Sequence, residues 1–265
     1  MNISFTIDQE RCKQCYACVS ECPFDLINPD KDGVPQLRRA ARKTCIRCGH
    51  CMAVCTADAL DITVSPLSES PLIKGKILPA PEPLEQFFLS RRSIRTYKKK
   101  RVDHAILEKI LNTTRYAPSA HNCQPVHWLV VEDPQEVQRI AGCVVEYMRE
   151  LKIFPGLIRA WANGEDKVLR GAPHLAIGHA DPKSSEHPVE DCTLATTYLD
   201  LAAHSHGVGS CWAGFLIQAA PGYQPLREML NLPENHTLYT ALMLGYSKFR
   251  YRHIPRRDEL KITWR

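Results

Sequence analysis

No apolar run in this 265-residue sequence approaches the ~18–20 residues that a membrane-crossing helix needs, so a membrane partner is not expected. The opening stretch, MNISFTIDQERCK, has neither the basic n-region nor the apolar h-region of a secretory signal, and the expected location is the cytoplasm. A G-x-G-x-x-G fingerprint at a strand-to-helix turn is missing, which removes the usual pyrophosphate cradle of dinucleotide-binding folds. Regular alternation of strand and helix signals is missing too, so α+β is the expected fold class rather than a doubly wound parallel sheet. Strong charge imbalance is also lacking. The formal net charge is +5, much of it in RRSIRTYKKKR (91–101), and basic runs of that kind are ordinarily solvated faces. No nucleic-acid partner is expected.

Cysteine, by contrast, is plentiful: there are twelve. Eight fall in two runs, CKQCYACVSEC (12–22) and CIRCGHCMAVC (45–55), which share a spacing of two, two and three residues and lie 33 positions apart. In a reducing compartment so dense a set points to metal rather than to disulfides. Cys123, Cys143, Cys192 and Cys211 are scattered and read as small buried hydrophobes. Zinc also uses C-x2-C pairs, but each run here carries a ligand too many for a pair. Three thiolates at intervals of two residues can hold three corners of a 4Fe–4S cube, while the fourth cysteine, three residues on, reaches the other cluster. Two 4Fe–4S clusters are therefore expected. Cys12, Cys15 and Cys18 would join Cys55 on one, and Cys45, Cys48 and Cys51 would join Cys22 on the other. This segment resembles bacterial two-cluster ferredoxins over residues 1–64, with Thr56 where that family usually has proline. His50, between cysteines of a complete thiolate set, reads as a solvent-facing residue.

Short strands are expected at 3–7 and 34–37, with a turn at NPDKDG (28–33). From Ser65 the texture changes: SPLSESPLIKGKILPAPEP (65–83) holds five prolines and reads as an extended connector. A larger domain is expected from 84 to 265. It opens with a helix whose apolar face is Leu84, Phe87 and Phe88, followed by a helix capped by Asp103 and stopping before Pro118. Strands are expected at 127–133, 174–180 and 236–247. Helices are expected from Asp133 to Leu151 and, largely buried, over 189–207, the second ended by Gly207.

Three stretches of this domain suggest a ligand. RRSIR (91–95) gathers three arginines and a hydroxyl, a donor set suited to a phosphate monoester or diphosphate, though a surface basic patch has the same composition. APSAHNCQPVHW (117–128) sets small residues and amides in a proline-bounded turn before a strand, which serves a planar polar ligand or simply a capped loop. GVGSCWAGF (207–215) holds three glycines after the buried helix; its plain reading is a helix terminus and a turn. In this order the three resemble the nitroreductase family of FMN-dependent oxidoreductases over about residues 84–258. LMLGYSKFRYRHIPRRD (242–258) looks like that family's C-terminal strand and basic segment.

The resemblance implies a mixed sheet with surrounding helices and an FMN whose phosphate meets Arg91, Arg92, Ser93 and Arg95, with Arg256 or Arg257. It implies that Pro118, Ser119, Ala120 and Asn122 line the flavin from the partner subunit of a homodimer, and that backbone groups of Ala213 and Gly214 face its ring. Many relatives have glutamate where Ala213 stands, so no side-chain role transfers there. The chemistry would reside in the cofactor, and no general acid or nucleophile is nominated. His121, His127 and Cys211 read as packing or capping residues. The expected activity is reduction of a small electron-poor acceptor (a nitroaromatic, quinone or activated alkene), with electrons arriving through the clusters from a reduced ferredoxin-type protein. A nicotinamide donor is also compatible with the family's open flavin face. Flavin conversion or reductive dehalogenation are further possibilities on the same fold. The competing class is an electron-transfer module that serves a protein partner and uses no small substrate.

Overall fold

The offset of 33 residues between the cysteine runs is carried by the backbone itself. The computed structural model describes residues 3–265, which divide into two units at Leu78/Pro79. The first unit runs β1 (Phe5–Ile7), α1 (Ala17–Ser20), β2 (Ile27–Pro29), β3 (Pro35–Leu37), α2 (Ala41–Thr44), α3 (His50–Ala53) and β4 (Leu60–Ile62). β1 pairs antiparallel with β4, and β2 with β3. α1 and β2 recur as α3 and β4 at the same offset. So do the left-handed residues: Gln14, Tyr16 and Asp25 have their counterparts in Arg47, Gly49 and Asp58. The turn after each run closes the same way, with Asp25 N–H on the Cys22 carbonyl and Asp58 N–H on the Cys55 carbonyl, both at 3.1 Å. Thr56 therefore does not change the turn that Pro23 begins. The β2–β3 turn is closed by Asp30, whose carboxylate accepts from the Asp32 and Val34 amides, each at 2.9 Å. A small core of Cys18, Ile27, Met52, Leu60 and Ile62 lies between the halves.

The connector is less extended than its prolines suggest. It contains 3-10 turns at Leu67–Glu69 and Gly75–Ile77, and the helix that follows, α4 (Pro81–Ser90), begins before Leu84. Pro81 occupies the first helical position, where an N–H would have no intrahelical acceptor, so proline there costs no hydrogen bond.

The second unit continues with α5 (His104–Thr113), β5 (His127–Val131), α6 (Pro134–Glu150), α7 (Pro155–Ala162), β6 (His174–Ala180), α8 (Pro188–Ser205), β7 (Gly209–Trp212), α9 (Gly214–Ala219), α10 (Gln224–Leu230) and β8 (Thr237–Gly245). The strands form one antiparallel sheet in the order β5-β6-β8-β7. Its period of two sorts the central strands between two cores. Leu175, Ile177, Ala241 and Met243 pack with α6, α9 and α10, whereas Ala176, Leu242 and Leu244 pack with α5 and α8. Both faces are covered, so β6 is buried along its whole length, its two histidines, His174 and His179, included.

Local chemistry places the helix ends. The Asp133 carboxylate accepts from the Gln135 amide at the start of α6, with Pro134 at the first helical position. α8 ends through Gly207, at φ +69°, and the Val208 amide folds back onto the Ala203 carbonyl at 2.9 Å. Asp103 stands at the N-cap of α5, but its side chain makes no capping bond. The fold is α+β. Among the described residues no helix is long and apolar enough to cross a membrane.

Candidate functional site

The eight cysteines of the first unit sort into two groups that cross the repeats. One cavity is walled by Cys12, Cys15, Cys18 and Cys55, with Ile7, Tyr16 and Leu60. The other is walled by Cys22, Cys45, Cys48 and Cys51, with Phe24, Leu26 and Ile46. Each takes three cysteines from one run and the last cysteine of the other. The last cysteine of each run also accepts a backbone N–H at 3.3 Å, from Leu26 to Cys22 and from Ala59 to Cys55. Burial pushes the Cys51 thiol up to about 11 and raises that of Cys18, where the neighbouring Cys55 adds repulsion. Thiols held this way lose their protons when a cation binds among them, and four-cysteine walls supply the soft donors that iron–sulfur clusters take. His50 is exposed.

In the second unit RRSIR leaves the end of α4 and runs beside β7. Ser93 bridges Ser210 in parallel, and the Ile94 amide donates to the Ser210 carbonyl at 2.8 Å. Tyr97 donates its hydroxyl proton to the Ile94 carbonyl at 2.7 Å, and the Lys98 amide reaches the Tyr246 carbonyl at 2.8 Å. The segment thus lies along the outer edge of the sheet, held by backbone bonds at both ends.

Its arginines have different surroundings. Arg91 is half-buried and pairs with Asp200 of α8 at 3.4 Å. The Asp200 carboxylate also accepts the hydroxyl proton of buried Ser210. Arg92 turns back on the end of α4, donating to the carbonyls of Leu89 and Ser90. Arg95 is exposed and within 3.4 Å of the Ser93 carbonyl. Burial raises the Cys211 thiol, against the opposing pull of Arg95, Arg170 and Arg91. The same burial raises Tyr97, so both stay neutral beside this cationic group.

Asp200, Ser210, Tyr97 and Arg170 escaped the sequence reading. Asp200 carried a usable signal, because a carboxylate in a helix read as largely buried needs a cation or donors around it.

The APSAHNCQP loop is built elsewhere in the unit. The Ala120 amide donates to buried Asp191 at the start of α8 at 2.9 Å, and Asp191 also accepts from the Ser185 hydroxyl at 2.5 Å. The Ser119 hydroxyl accepts from the Gln124 amide at 2.9 Å, and Gln124 donates to the Asn122 side-chain oxygen at 3.2 Å. His121, Asn122 and Gln124 all take left-handed backbone conformations, which tighten the loop without glycine. Pro118 and Ser119 line a cavity of about 550 Å³ with Trp128, Asp191 and residues of α5. No residue of 91–95 or 213–214 is in its wall.

Ala213 is buried and its backbone is already used: its N–H donates to Ala241 at 2.9 Å and its carbonyl accepts from Leu216 and Ile217. Gly214 is exposed at the start of α9. Arg256 and Arg257 lie in the exposed C-terminal segment without regular structure and take no part in the network around Arg91. His127 is exposed and packs edge-on against His236, with ring centres 4.8 Å apart.

Residues 89–246 match the nitroreductase family, and residues 11–60 match the 4Fe-4S dicluster domain. A provisionally named NADH dehydrogenase/NAD(P)H nitroreductase of Archaeoglobus fulgidus is 34% identical over 163 residues, covering 60% of this chain and 82% of that protein. The solved nitroreductase with bound FMN from Desulfitobacterium hafniense superposes with a TM-score of 0.59 at 22% identity, over 70% of this chain and 100% of that one. The FMN-bound nitroreductase of Bacteroides fragilis superposes with a TM-score of 0.57 at 25% identity, over 69% of this chain and 100% of that one. The sheet, its helices and the ordered motifs along them have a common explanation: the chain belongs to the nitroreductase family of oxidoreductases and carries a 4Fe-4S dicluster domain ahead of that fold.

Proposed function

We propose that the chain is an FMN-dependent reductase of a small electron-poor acceptor, supplied with electrons through two 4Fe–4S clusters. The observation that carries the proposal is the sorting of eight cysteines into two four-cysteine walls that cross the repeats. That arrangement suits two cubes and offers no separated pairs for zinc. Such thiolates persist in a reducing compartment, which supports a cytoplasmic location. The domains we assign are 1–64 for the clusters, 65–83 for the connector and 84–265 for the flavin.

The donor set at 91–95 fits a phosphate monoester. Arg91 is oriented by Asp200, Ser93 is fixed by its bridge to Ser210, and Arg95 is exposed beside it. FMN, when bound, supplies the redox chemistry; the protein holds its phosphate, presents backbone at Gly214 and excludes water. The cavity of about 550 Å³ that takes in Pro118 and Ser119 has no residue of 91–95 in its wall, and in keeping with the family resemblance we assign Pro118, Ser119, Ala120 and Asn122 to the flavin of a second subunit. Two such pockets make a homodimer of twofold symmetry. α4 supports it, since Leu84, Phe88 and Leu89 are exposed. Sedimentation of the holoprotein should give a dimer; a monomer holding FMN tightly would contradict the shared pocket.

The donor we favour is a low-potential protein that gives one electron at a time, since a nicotinamide alone would make the dicluster domain unnecessary. The activity is tested anaerobically, by mixing reduced holoprotein with nitroaromatic, quinone and activated-alkene acceptors and following flavin reoxidation. Fast reoxidation by one class identifies the substrate. Reoxidation by none of them, with fast reoxidation by an oxidised carrier protein, would replace the reductase with an electron-transfer module.

A further inference from the structure

We infer that the Cys22/Cys45/Cys48/Cys51 side of the first unit is the docking face for an acidic electron-carrier protein; the inference rests on the proposed delivery of electrons through the clusters. The two cavities have similar cysteine walls but differently charged rims. Beside the Cys12/Cys15/Cys18/Cys55 cavity, Arg11 is paired with Asp58 at 3.8 Å, and Asp8 and Glu10 stand with Lys13. That rim carries three acids and two cations. Around the other cavity the sequence from Leu37 to Cys51, which supplies much of its wall, contains no aspartate or glutamate at all.

Within that stretch Arg38, Arg39, Lys43 and Arg47 are exposed, and each lies within two residues of Leu37, Cys45 or Cys48 in the cavity wall. Glu21, Asp25 and Asp61 are the acids within two residues of that wall, and the Asp61 carboxylate is already taken up by the Ile62 and Leu67 amides. Phe24, in the same wall, is 42% exposed. An apolar ring bordered by cations over a redox centre is the complement of an acidic protein that carries its own centre near its surface. Such complementarity mainly raises the encounter rate and fixes orientation. In each encounter one electron leaves the partner's reduced centre, which is oxidised, and reduces the cluster behind this face. No proton or bond is exchanged, and two encounters supply the two electrons of one turnover.

The test uses the holoprotein and an acidic plant-type 2Fe–2S ferredoxin as probe. Two double variants with equal charge change are compared with wild type: Arg39→Glu/Lys43→Glu, and Lys109→Glu/Lys183→Glu, exposed lysines of the other unit. Binding of oxidised ferredoxin is measured by interferometry, and cluster reduction by reduced ferredoxin in stopped flow. Photoreduced 5-deazariboflavin serves as a small neutral reductant. The expected result is a roughly ten- to hundredfold loss of affinity and second-order rate in Arg39→Glu/Lys43→Glu at low salt, converging with wild type at about 0.5 M salt. The second variant should stay within about threefold of wild type, and deazariboflavin should reduce all three equally. If ferredoxin reduces all three at the same salt-independent rate, the docking face is wrong while delivery through the clusters stands. If ferredoxin reduces none of them although deazariboflavin does, delivery from a carrier protein falls, and the docking face with it.

Discussion

Gly209 lies where the edge of the sheet passes tightly against Ile94 of the arginine segment, and replacing it by alanine tests whether that closeness positions the phosphate donors. An added Cβ would lie 2.5 Å from Ile94 Cγ1, 2.9 Å from Ile94 Cβ and 3.1 Å from the Gly245 carbonyl oxygen. Carbon atoms in ordinary contact stay ~3.5–4 Å apart, so Ile94 must retreat by about 1 Å. A rotamer change relieves the Cγ1 contact but not the Cβ contact. Retreat strains the 2.8 Å bond from the Ile94 amide to Ser210 and the 2.7 Å bond from Tyr97 to the Ile94 carbonyl. Overpacking of about 1–3 kcal/mol, with about 1 kcal/mol for a lost hydrogen bond, gives a destabilisation of about 2–4 kcal/mol. The backbone of Gly209 is not left-handed, so the contact alone is tested.

For a domain of this size the corresponding fall in Tm is about 5–15 °C. Displacement of Arg91, Ser93 and Arg95 should remove one charge-assisted bond to the phosphate, weakening FMN about 10–100-fold. Thermal unfolding of the holoprotein and fluorescence titration of flavin-depleted protein measure the two effects. Ile94→Ala in the same background should restore part of the Tm, because it removes the nearest atom. A Gly209→Ala protein with wild-type Tm and wild-type FMN affinity would refute the positioning argument.

Cys22→Ala should cost the cluster assigned to Cys45, Cys48 and Cys51 rather than its sequence neighbour, with iron falling from about eight to about four per chain. Electron paramagnetic resonance of the reduced protein reads this as loss of the coupling between two clusters; zinc in place of iron would end the cluster reading. Arg91→Ala strands the buried Asp200 carboxylate, so it should lower stability by about 2 kcal/mol as well as weakening FMN. Adding Asp200→Ala should recover stability but not affinity, and a double variant that recovers both would show that Arg91 does not hold the phosphate. Burial, then the nearby His236 and His127, hold His179 down at about 4, below its ordinary 6.5. Between those values the unfolded chain takes up a proton that the folded chain refuses. Stability should therefore be flat above about pH 7 and fall by up to about 3 kcal/mol toward pH 4. His179→Asn should flatten that fall in Tm-versus-pH profiles; an unchanged acid slope would assign it to other groups.

Legibility in the sequence followed the amount of periodic apolar pattern. α6, β6 and α8 are long or continuously apolar, and their cores at Val137–Met148, Leu175–Ile177 and Cys192–Ala203 were visible as such. β2 and β4 directly follow the cysteine runs and, at three residues each, gain strand character from pairing with β3 and β1. β7 was read as a turn because two glycines and a cysteine flank its serine. Its strand character comes from pairing with β8 and from the bridge to Ser93, both non-local. α7, α9 and α10 are short helices whose apolar faces gain meaning only against α6 and the sheet. At the site, RRSIR was conspicuous as a charge cluster, but its differentiation was not. That Arg92 folds back on α4 while Arg91 engages Asp200 depends on where a helix more than a hundred residues later in the chain passes.

The crossing of the cysteine groups has a mechanical meaning for the first unit. Its apolar core has few large side chains, too few to hold a fold of this length unaided. With the proposed ligation, one cube closes the chain from Cys18 to Cys55, and the other closes the nested loop from Cys22 to Cys45. Each inorganic core therefore acts as a cross-link that withdraws freedom from the unfolded chain, as a disulfide does where oxidation allows one. Because each cube fastens one repeat to the other, neither half can be released while the other stays clasped. Loss of a single cube to oxygen would remove one of the two clasps while the other still joins the repeats, so the same atoms that conduct electrons would also set how firmly this part of the chain is held.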